Sequence, residues 1–213
     1  LVHGEGDGLP GLIIDYYDGV CVMQAHSVGM FKAKLDICNA LVKLYGTSLK
    51  AVYDKSSGTA PFKAGLDLVD GYLYKSEILK SDQLAVLEGG HKFIVNWSEG
   101  QKTGFFLDQK YNRKAISKIA KGKKVLDCFT HTGSFALNAA NGGAKHVHAV
   151  DISQTAVDMA QANAKLNGLD DIMSFEATDV FDLLPTIKNN EYDFIILDPP
   201  AFTKSRKTKE NAT

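Results

Sequence analysis

The stretch that decides the fold is KKVLDCFTHTGSFALNAANGGAKHVHAVD, residues 123–151. It opens on a short apolar run closed by Asp127, passes through a loop with one glycine, and enters a run of apolar residues at helical spacing. Gly142 and Gly143 stop that run, and a second apolar run ends at Asp151. The pattern predicts a strand, a tight turn, a helix and a second strand, with an acid at the tip of each strand.

These two acids indicate what kind of ligand the fold would hold. In open α/β sheets, ligands bind in the crevice beyond the carboxyl ends of the strands. Asp127 and Asp151 are predicted to lie at that edge. A pair of carboxylates placed there suits a ligand that carries a cationic amine and a ribose diol.

The same alternation continues after the central stretch. A third predicted strand, residues 172–177, is followed by Asp179, and a fourth, residues 192–197, is followed by Asp198. Strands that alternate with helices predict a parallel, doubly wound sheet. Any one of these acids has an ordinary explanation as a helix N-cap or a solvated loop residue, but four acids in phase with four strands indicate a site.

The loop CFTHTGSF, residues 128–135, argues against two kinds of nucleotide site. A dinucleotide site needs G-x-G-x-x-G, and a P-loop needs G-x-x-x-x-G-K-[ST], so that the backbone can approach phosphate groups. The loop has only Gly133. The predicted ligand therefore has a ribose, an adenine and an amino acid but no phosphate, a description that S-adenosylmethionine (SAM) fits.

The first half of the chain predicts a small α+β domain, residues 1–98, ahead of a second domain at residues 99–213, because Glu99 and Gly100 break the pattern between them. Its predicted elements are a hairpin at residues 12–23, a helix at 31–45 and strands at 49–53 and 91–97. Trp97, the one tryptophan, is interpreted as a core residue of the last strand rather than as a base-stacking residue.

Composition places the chain among cytoplasmic globular proteins. Of its 213 residues, 45% are hydrophobic and 23% charged, and the formal net charge is -1, so any nucleic-acid surface must be a local patch. Three cysteines form neither a disulfide framework nor a zinc pattern. No apolar run approaches the roughly 18 residues of a membrane helix. The start lacks both a methionine and a signal-peptide pattern, which is typical of the middle of a longer gene product.

The motifs VLDCFTHTGSF, VDIS, ATDVF and LDPPAF resemble the successive cofactor and substrate motifs of class I methyltransferases. Together with TGFFLDQKYNR and DPPAFTKSRK, they are similar to those of the large-subunit rRNA cytosine-C5 methyltransferases, which carry a PUA domain, a central α/β domain and a catalytic domain. The resemblance covers nearly all of the chain. It implies a Rossmann-like SAM-binding domain, truncated after its fourth strand, behind the small α+β domain, with the PUA domain and the C-terminal part missing.

The resemblance implies roles for the residues at the strand tips. Asp127 would face the methionine amine of SAM through water, and Asp151 would accept hydrogen bonds from both ribose hydroxyls. Ile152 would pack on the adenine. Asp179 would accept from the adenine amine, with Val180 beside it.

Further roles follow from the same resemblance. The residues implied to close the methionine end are Phe106, Asp108, Gln109 and Arg113. From the residues alone, Arg113 either pairs with a ligand carboxylate or lies on a solvated helix end. Gly133 would let the backbone approach the cofactor, near Thr130, Ser134 and Phe135. Asp198, the implied catalytic residue, would line the slot for the target base with Pro199 and Pro200, and Asp198 and Pro199 would also contact SAM.

Methylation at cytosine C5 needs a nucleophile that adds to C6, and a cysteine thiolate supplies it. The family has that cysteine after the DPP motif, beyond this chain, and Cys128 is predicted to be a small buried residue. We therefore expect these residues to hold the cofactor half of the site and not to turn over alone. Left exposed, the apolar strand at residues 194–197 would form a sheet edge.

The expected partner is large-subunit rRNA, with a homodimer as an option. The basic residues after the fourth strand either contact RNA phosphates or form a solvated loop; they are Lys204, Arg206, Lys207 and Lys209. Two other functions stay open: an rRNA methyltransferase acting on a base nitrogen such as that of guanine, and a non-catalytic RNA-binding or assembly module that keeps the fold.

Overall fold

The computed structural model describes residues 1–61 and 65–200, and the chain divides into two compact units. Unit 1 comprises Leu1–Val86 and Ile94–Leu107, and unit 2 comprises Leu87–Phe93 and the chain from Asp108 onward. The sequence placed one boundary between residues 98 and 99. The chain instead leaves unit 1 for the last time after Leu107, and unit 2 also takes a hairpin segment from the first half.

Unit 1 is built on a five-stranded sheet in the order β1-β2-β3-β4-β5. Its strands are β1 (Val2–His3), β2 (Leu12–Tyr17), β3 (Val20–Ala25), β4 (Ala51–Asp54) and β5 (Gly71–Lys75), and its helices are α1 (Val28–Lys32) and α2 (Lys34–Tyr45). Strands β3 and β4 are parallel and the other neighbours are antiparallel. The predicted hairpin is confirmed: Asp18 and Gly19 connect β2 to β3 with φ of 43° and 93°.

One face of this sheet carries the core of unit 1. Alternate residues of β3, Cys21 and Met23, pack with Cys38 and Leu41 of α2. Every second residue of a strand points to the same face, and residues three or four apart share one face of a helix. The helix predicted at residues 31–45 is in fact two helices, α1 and α2, that meet at Ala33. The first begins earlier than predicted, because the Ser27 side chain caps it.

The hairpin that the two units share is formed by β6 (Gln83–Glu88) and β7 (His91–Asn96). Within unit 1, Trp97 is 0% exposed and its indole N–H donates to the Tyr72 hydroxyl at 3.2 Å. The interpretation of Trp97 as a core residue is therefore confirmed.

Unit 2 follows the predicted alternation of strands and helices. Its elements are α3 (Lys110–Ile119), β8 (Lys124–Cys128), α4 (Ser134–Asn141), β9 (His146–Asp151), α5 (Gln154–Leu166), β10 (Met173–Ala177), α6 (Val180–Leu183) and β11 (Phe194–Leu197). The sheet order is β10-β9-β8-β11 and every pair of neighbours is parallel. The predicted parallel α/β fold is confirmed, and Cys128 lies in its core.

The strand order fixes where a ligand can bind. From β8 the chain moves outward to β9 and β10, then returns past β8 to β11. The order therefore reverses between β8 and β11, and α/β sheets of this kind bind ligands at that switch point, beyond the carboxyl ends of the strands. Strand β11 ends the order of the described strands, and its Ile195 and Leu197 are 47% and 61% exposed on one face, in agreement with the predicted apolar edge strand.

No helix formed by residues 1–61 and 65–200 has both the length and the apolar character to cross a membrane. The same residues contain no cluster of His, Cys, Asp and Glu side chains that could hold a metal ion. The predicted RNA contact of Lys204, Arg206, Lys207 and Lys209 lies outside the described residues.

Candidate cofactor site at the tips of the parallel strands

The structure places all four predicted acids of unit 2 at the carboxyl edge of its sheet. Asp127 is the penultimate residue of β8, where it pairs in register with Ile196 of β11. Asp151 is the last residue of β9. Asp179 follows β10 and Asp198 directly follows β11.

Asp127 is the most unusual of these acids. It is 1% exposed, and its Oδ2 accepts from the Thr130 hydroxyl at 2.7 Å and from the Ala136 N–H at 3.0 Å. Its Oδ1 is buried and has no hydrogen-bond partner among the residues that the structure describes. Leaving a buried acceptor unpaired costs about 1–3 kcal/mol, more for a charged group, so this oxygen marks a place where a donor is expected.

Burial is the main reason why the pKa of Asp127 is raised to about 7, and the negative charges of Asp198 and Asp151 add to the shift. The hydrogen bonds from Thr130 and Ala136 oppose it. A cationic group beside Oδ1 would favour the ionised carboxylate. The site is therefore poised to exchange a proton when a cation binds.

The N-terminus of α4 stabilises the buried carboxylate of Asp127. Gly133 is the N-cap of α4 and offers no side chain to the free N–H groups of the first turn. Asp127 reaches across from β8 and accepts from Ala136, the third residue of the helix. The positive end of the helix dipole also favours a carboxylate in this position.

The loop between β8 and α4 is held in an uncommon backbone conformation. Phe129 and His131 have φ of 59° and 52°, and Gly133 has φ of 76°. Two non-glycine residues at positive φ cost free energy and are found most often at functional sites. A side chain at Gly133 would place its Cβ 2.8 Å from the Ala160 Cβ. The glycine therefore permits the close packing of α5, a requirement that the sequence did not reveal.

Asp151 is held in one orientation by its neighbours. Its Oδ2 accepts from the His131 N–H at 2.9 Å and its Oδ1 from the Ser153 N–H at 3.0 Å. Each carboxylate oxygen can accept a second hydrogen bond, so both remain able to meet a diol. The next side chain, Ile152, is 71% exposed and presents an apolar surface beside the carboxylate.

Asp179 caps α6 by accepting from the Phe181 N–H at 2.9 Å. The N-cap explanation therefore holds for this acid. The capping hydrogen bond uses only its Oδ1. Val180, predicted beside Asp179, is 2% exposed and packs with Leu126 in the core. Phe181, two positions after Asp179, is 60% exposed.

Comparison with known proteins now decides the family. Residues 72–210, well over half of the chain, match the S-adenosylmethionine-dependent methyltransferase family. The chain belongs to this family.

Two curated relatives of this methyltransferase chain share a name. Two proteins named ribosomal RNA large subunit methyltransferase I, from Aeromonas salmonicida and Escherichia coli, are 42% and 39% identical to it over 209 residues. Each alignment covers 97% of this chain and 52% of the relative. The chain thus spans about half the length of the curated relatives it matches.

Solved structures agree with this assignment. A candidate SAM-dependent methyltransferase from Streptococcus mutans has a TM-score of 0.79 at 29% identity, over 92% of this chain and 50% of that one. A candidate methyltransferase in complex with S-adenosylhomocysteine (SAH) has a TM-score of 0.81 at 28% identity, over 97% and 52% of the two chains.

Arg113 of this methyltransferase unit has a partner within the chain. Its side chain is 1% exposed, and Nε and Nη2 donate to the two carboxylate oxygens of Glu88 at 2.7 and 2.9 Å. The guanidinium is thus engaged in a bidentate ion pair with the hairpin segment. The predicted contact with a ligand carboxylate and the alternative of a solvated helix end both miss this partner, because Glu88 lies 25 residues away in the sequence.

The remaining residues that were predicted to bind the cofactor lie in both units. Phe106 belongs to unit 1, where the Lys102 ammonium lies 4.4 Å from the centre of its ring. Asp108 is exposed, and the Gln109 side chain accepts from Asn112 at 2.7 Å. The half-buried residues Ser134 and Phe135 open α4, and the exposed residues Pro199 and Pro200 follow Asp198 after β11.

The residues of unit 2 fit the group after which the family is named. SAM carries a cationic amine, a ribose diol and an adenine ring. The strand tips offer an unpaired buried carboxylate oxygen, an oriented second carboxylate and an exposed isoleucine, contributed by Asp127, Asp151 and Ile152. No phosphate-binding loop competes with this interpretation.

Proposed function

We propose that this chain is the cofactor-binding part of an enzyme that methylates large-subunit rRNA, most specifically at cytosine C5. The observation that carries the cofactor assignment is the unpaired, buried Oδ1 of Asp127 at the switch point of the sheet. The names of the relatives, 42% and 39% identical, support the RNA substrate. An enzyme acting on rRNA also agrees with the predicted cytoplasmic location.

The proposed binding mode assigns one task to each strand tip. Asp127 would stabilise the methionine amine, directly or through water, and Asp151 would accept from the ribose hydroxyls. Ile152 would pack on the adenine, with Asp179 near its amine. When bound, SAM supplies an electrophilic methyl group on a sulfonium. Asp198, Pro199 and Pro200 would border the place where the target base enters.

Cytosine C5 becomes nucleophilic only after a thiolate adds to C6, and this chain supplies no suitable thiol. All three of its cysteines are buried. Burial raises the pKa of Cys21 and of Cys128 to about 11, and it also raises the pKa of Cys38. A thiol with a raised pKa is a poor source of thiolate. The proposal therefore assigns the nucleophile to the rest of the whole protein.

The same observation keeps methylation of a base nitrogen as the second candidate, since a ring nitrogen has its own lone pair and needs no thiolate. The two candidates make different products. The full-length protein that contains this chain should be incubated with labelled SAM and with large-subunit rRNA from cells that lack the gene, and the rRNA should then be digested to nucleosides.

We expect label in 5-methylcytidine. Label in a methylguanosine would replace the first candidate by the second. No label in rRNA, from a protein that binds SAH, would contradict the proposed activity as a whole and leave the non-catalytic module.

A further inference from the structure

Unit 1 contains a cavity on the side of its sheet away from α2. Its volume is about 540 Å³, and it is an open cleft rather than an enclosed pocket. Strand β3 contributes Gln24, whose neighbours Met23 and Ala25 point to the opposite face. The residues that line the cavity are Ile13, Gln24, His26, Lys55, Ser57, Gly58, Thr59, Asp70 and Lys102.

Gln24 is the side chain that indicates a ligand. The residue is 8% exposed and lines the cavity, yet its carboxamide makes no hydrogen bond with any residue that the structure describes. Two neighbouring hydroxyls are engaged within the protein: Ser56 donates to Asp54, and Thr59 donates to the carbonyl of Ala25 at 2.9 Å. Because no described residue engages it, this amide is available to a molecule in the cavity.

The cavity offers both hydrogen-bond donors and acceptors. The hydroxyl protons of Ser57 and Thr59 are used within the protein, on Asp70 and Ala25, which leaves lone pairs on the two hydroxyl oxygens. The Gln24 amide adds two donors and an acceptor. An inorganic anion uses donors alone, whereas the edge of a nucleobase carries donors and acceptors together.

Two lysines give the cavity its positive charge. The Lys55 ammonium donates to the carbonyls of Trp97 and Gly100, which uses two of its three N–H groups. Lys102 lines the same cavity, and the one carboxylate there, Asp70, already accepts from the backbone and the hydroxyl of Ser57. A ligand with a negatively charged group beside its base is therefore favoured. Ile13, paired in register with Gln24, adds an apolar surface for the flat base.

We propose that this cavity binds one nucleotide, with the Gln24 carboxamide hydrogen-bonded to the base edge and Lys55 and Lys102 close to the phosphate. The inference rests on the proposed function for its source, a nucleotide of the RNA substrate other than the one that is methylated. A free mononucleotide offers the same chemistry, so the experiment includes both.

The test uses the whole 213-residue chain and its Gln24→Met variant, which keeps the length of the side chain and removes the amide. Gln83→Met is the matched control, because Gln83 is an exposed residue of the same unit. Binding of a short fluorescent single-stranded RNA of mixed sequence is measured by anisotropy, with each ribonucleoside monophosphate as competitor. We expect Gln24→Met to weaken RNA binding by about tenfold, as for the loss of one or two hydrogen bonds, and Gln83→Met to have no effect.

Equal RNA binding by Gln24→Met and the wild type would overturn the inference. Direct calorimetric binding of a monophosphate to the wild type, weakened in Gln24→Met and with no binding of the RNA to either, would assign the cavity to free nucleotides. SAH titration of the same samples reports separately on the cofactor site, so a failure of the proposed function is recognisable on its own.

Crosslinking keeps the inference testable even if Gln24→Met does not fold. RNA containing 4-thiouridine is irradiated with the wild-type chain, and the crosslinked peptides are identified by mass spectrometry. We expect crosslinks within residues 24–26 or 55–59, the two segments that contribute most of the residues lining the cavity. Crosslinks confined to other parts of the chain would overturn the assignment.

Discussion

Replacing Asp127 by asparagine is expected to weaken SAH binding by between about 30-fold and a few thousand-fold, because truncating a buried, hydrogen-bonded charge pair costs about 2–5 kcal/mol. Asparagine keeps an oxygen for Thr130 and Ala136, the two present donors. It removes the charge, and its NH₂ group stands where an acceptor is required. Calorimetric titration of the variant with SAH measures the loss.

The same substitution should leave the melting temperature unchanged or raise it. The folded-state pKa of Asp127, about 7, lies above its unfolded value of about 3.9, so the wild type loses stability as the pH rises between these values. The melting temperature of the variant, relative to that of the wild type, should therefore be higher at pH 8 than at pH 4. Asp171→Asn, at an exposed position of unit 2, is the control and should change neither property. Full SAH affinity in Asp127→Asn would remove this residue from the site.

Arg113→Met is expected to destabilise the chain by about 3–5 kcal/mol, because it leaves the Glu88 carboxylate without its partner in a largely buried position. For a protein of this size, that corresponds to a fall in melting temperature of roughly 6–20 °C. Thermal unfolding followed by circular dichroism gives the value. Below its melting temperature, the variant should bind SAH as the wild type does.

The double variant Arg113→Met with Glu88→Leu is the control for this prediction. If the ion pair is structural, removing both charges should restore much of the stability, and the double-mutant cycle should show coupling. The opposite pattern, a normal melting temperature with lost SAH affinity, would mean that the guanidinium binds the ligand, as the sequence motif suggested.

Local patterns in the sequence were sufficient to predict the elements of unit 2 and the edge where its acids meet. The apolar runs that end in Asp127 and Asp151 each gave a strand and its tip, and parallel pairing brings such tips together. The strand order itself came from the structure, and with it the switch point between β8 and β11.

Properties that depend on contacts between distant segments were not predictable. The partner of Arg113 is a hairpin residue in the first half of the chain, and the cavity at Gln24 needs strands and loops from across unit 1. Gly133 was assigned to the cofactor from its motif, whereas the tight approach of Ala160 is visible only in three dimensions. The burial of Asp127, which sets its pKa, likewise depends on the whole unit.

The central claim is that Asp127 receives the cationic amine of an adenosyl amino acid. The measurement that tests it most directly is calorimetric titration with SAH near pH 6 and near pH 8, in buffers of different ionisation enthalpy. Because the pKa of free Asp127 is about 7, binding near pH 6 should release close to one proton, and binding near pH 8 very little. Absence of binding, or binding with no proton release at the lower pH, would contradict the account.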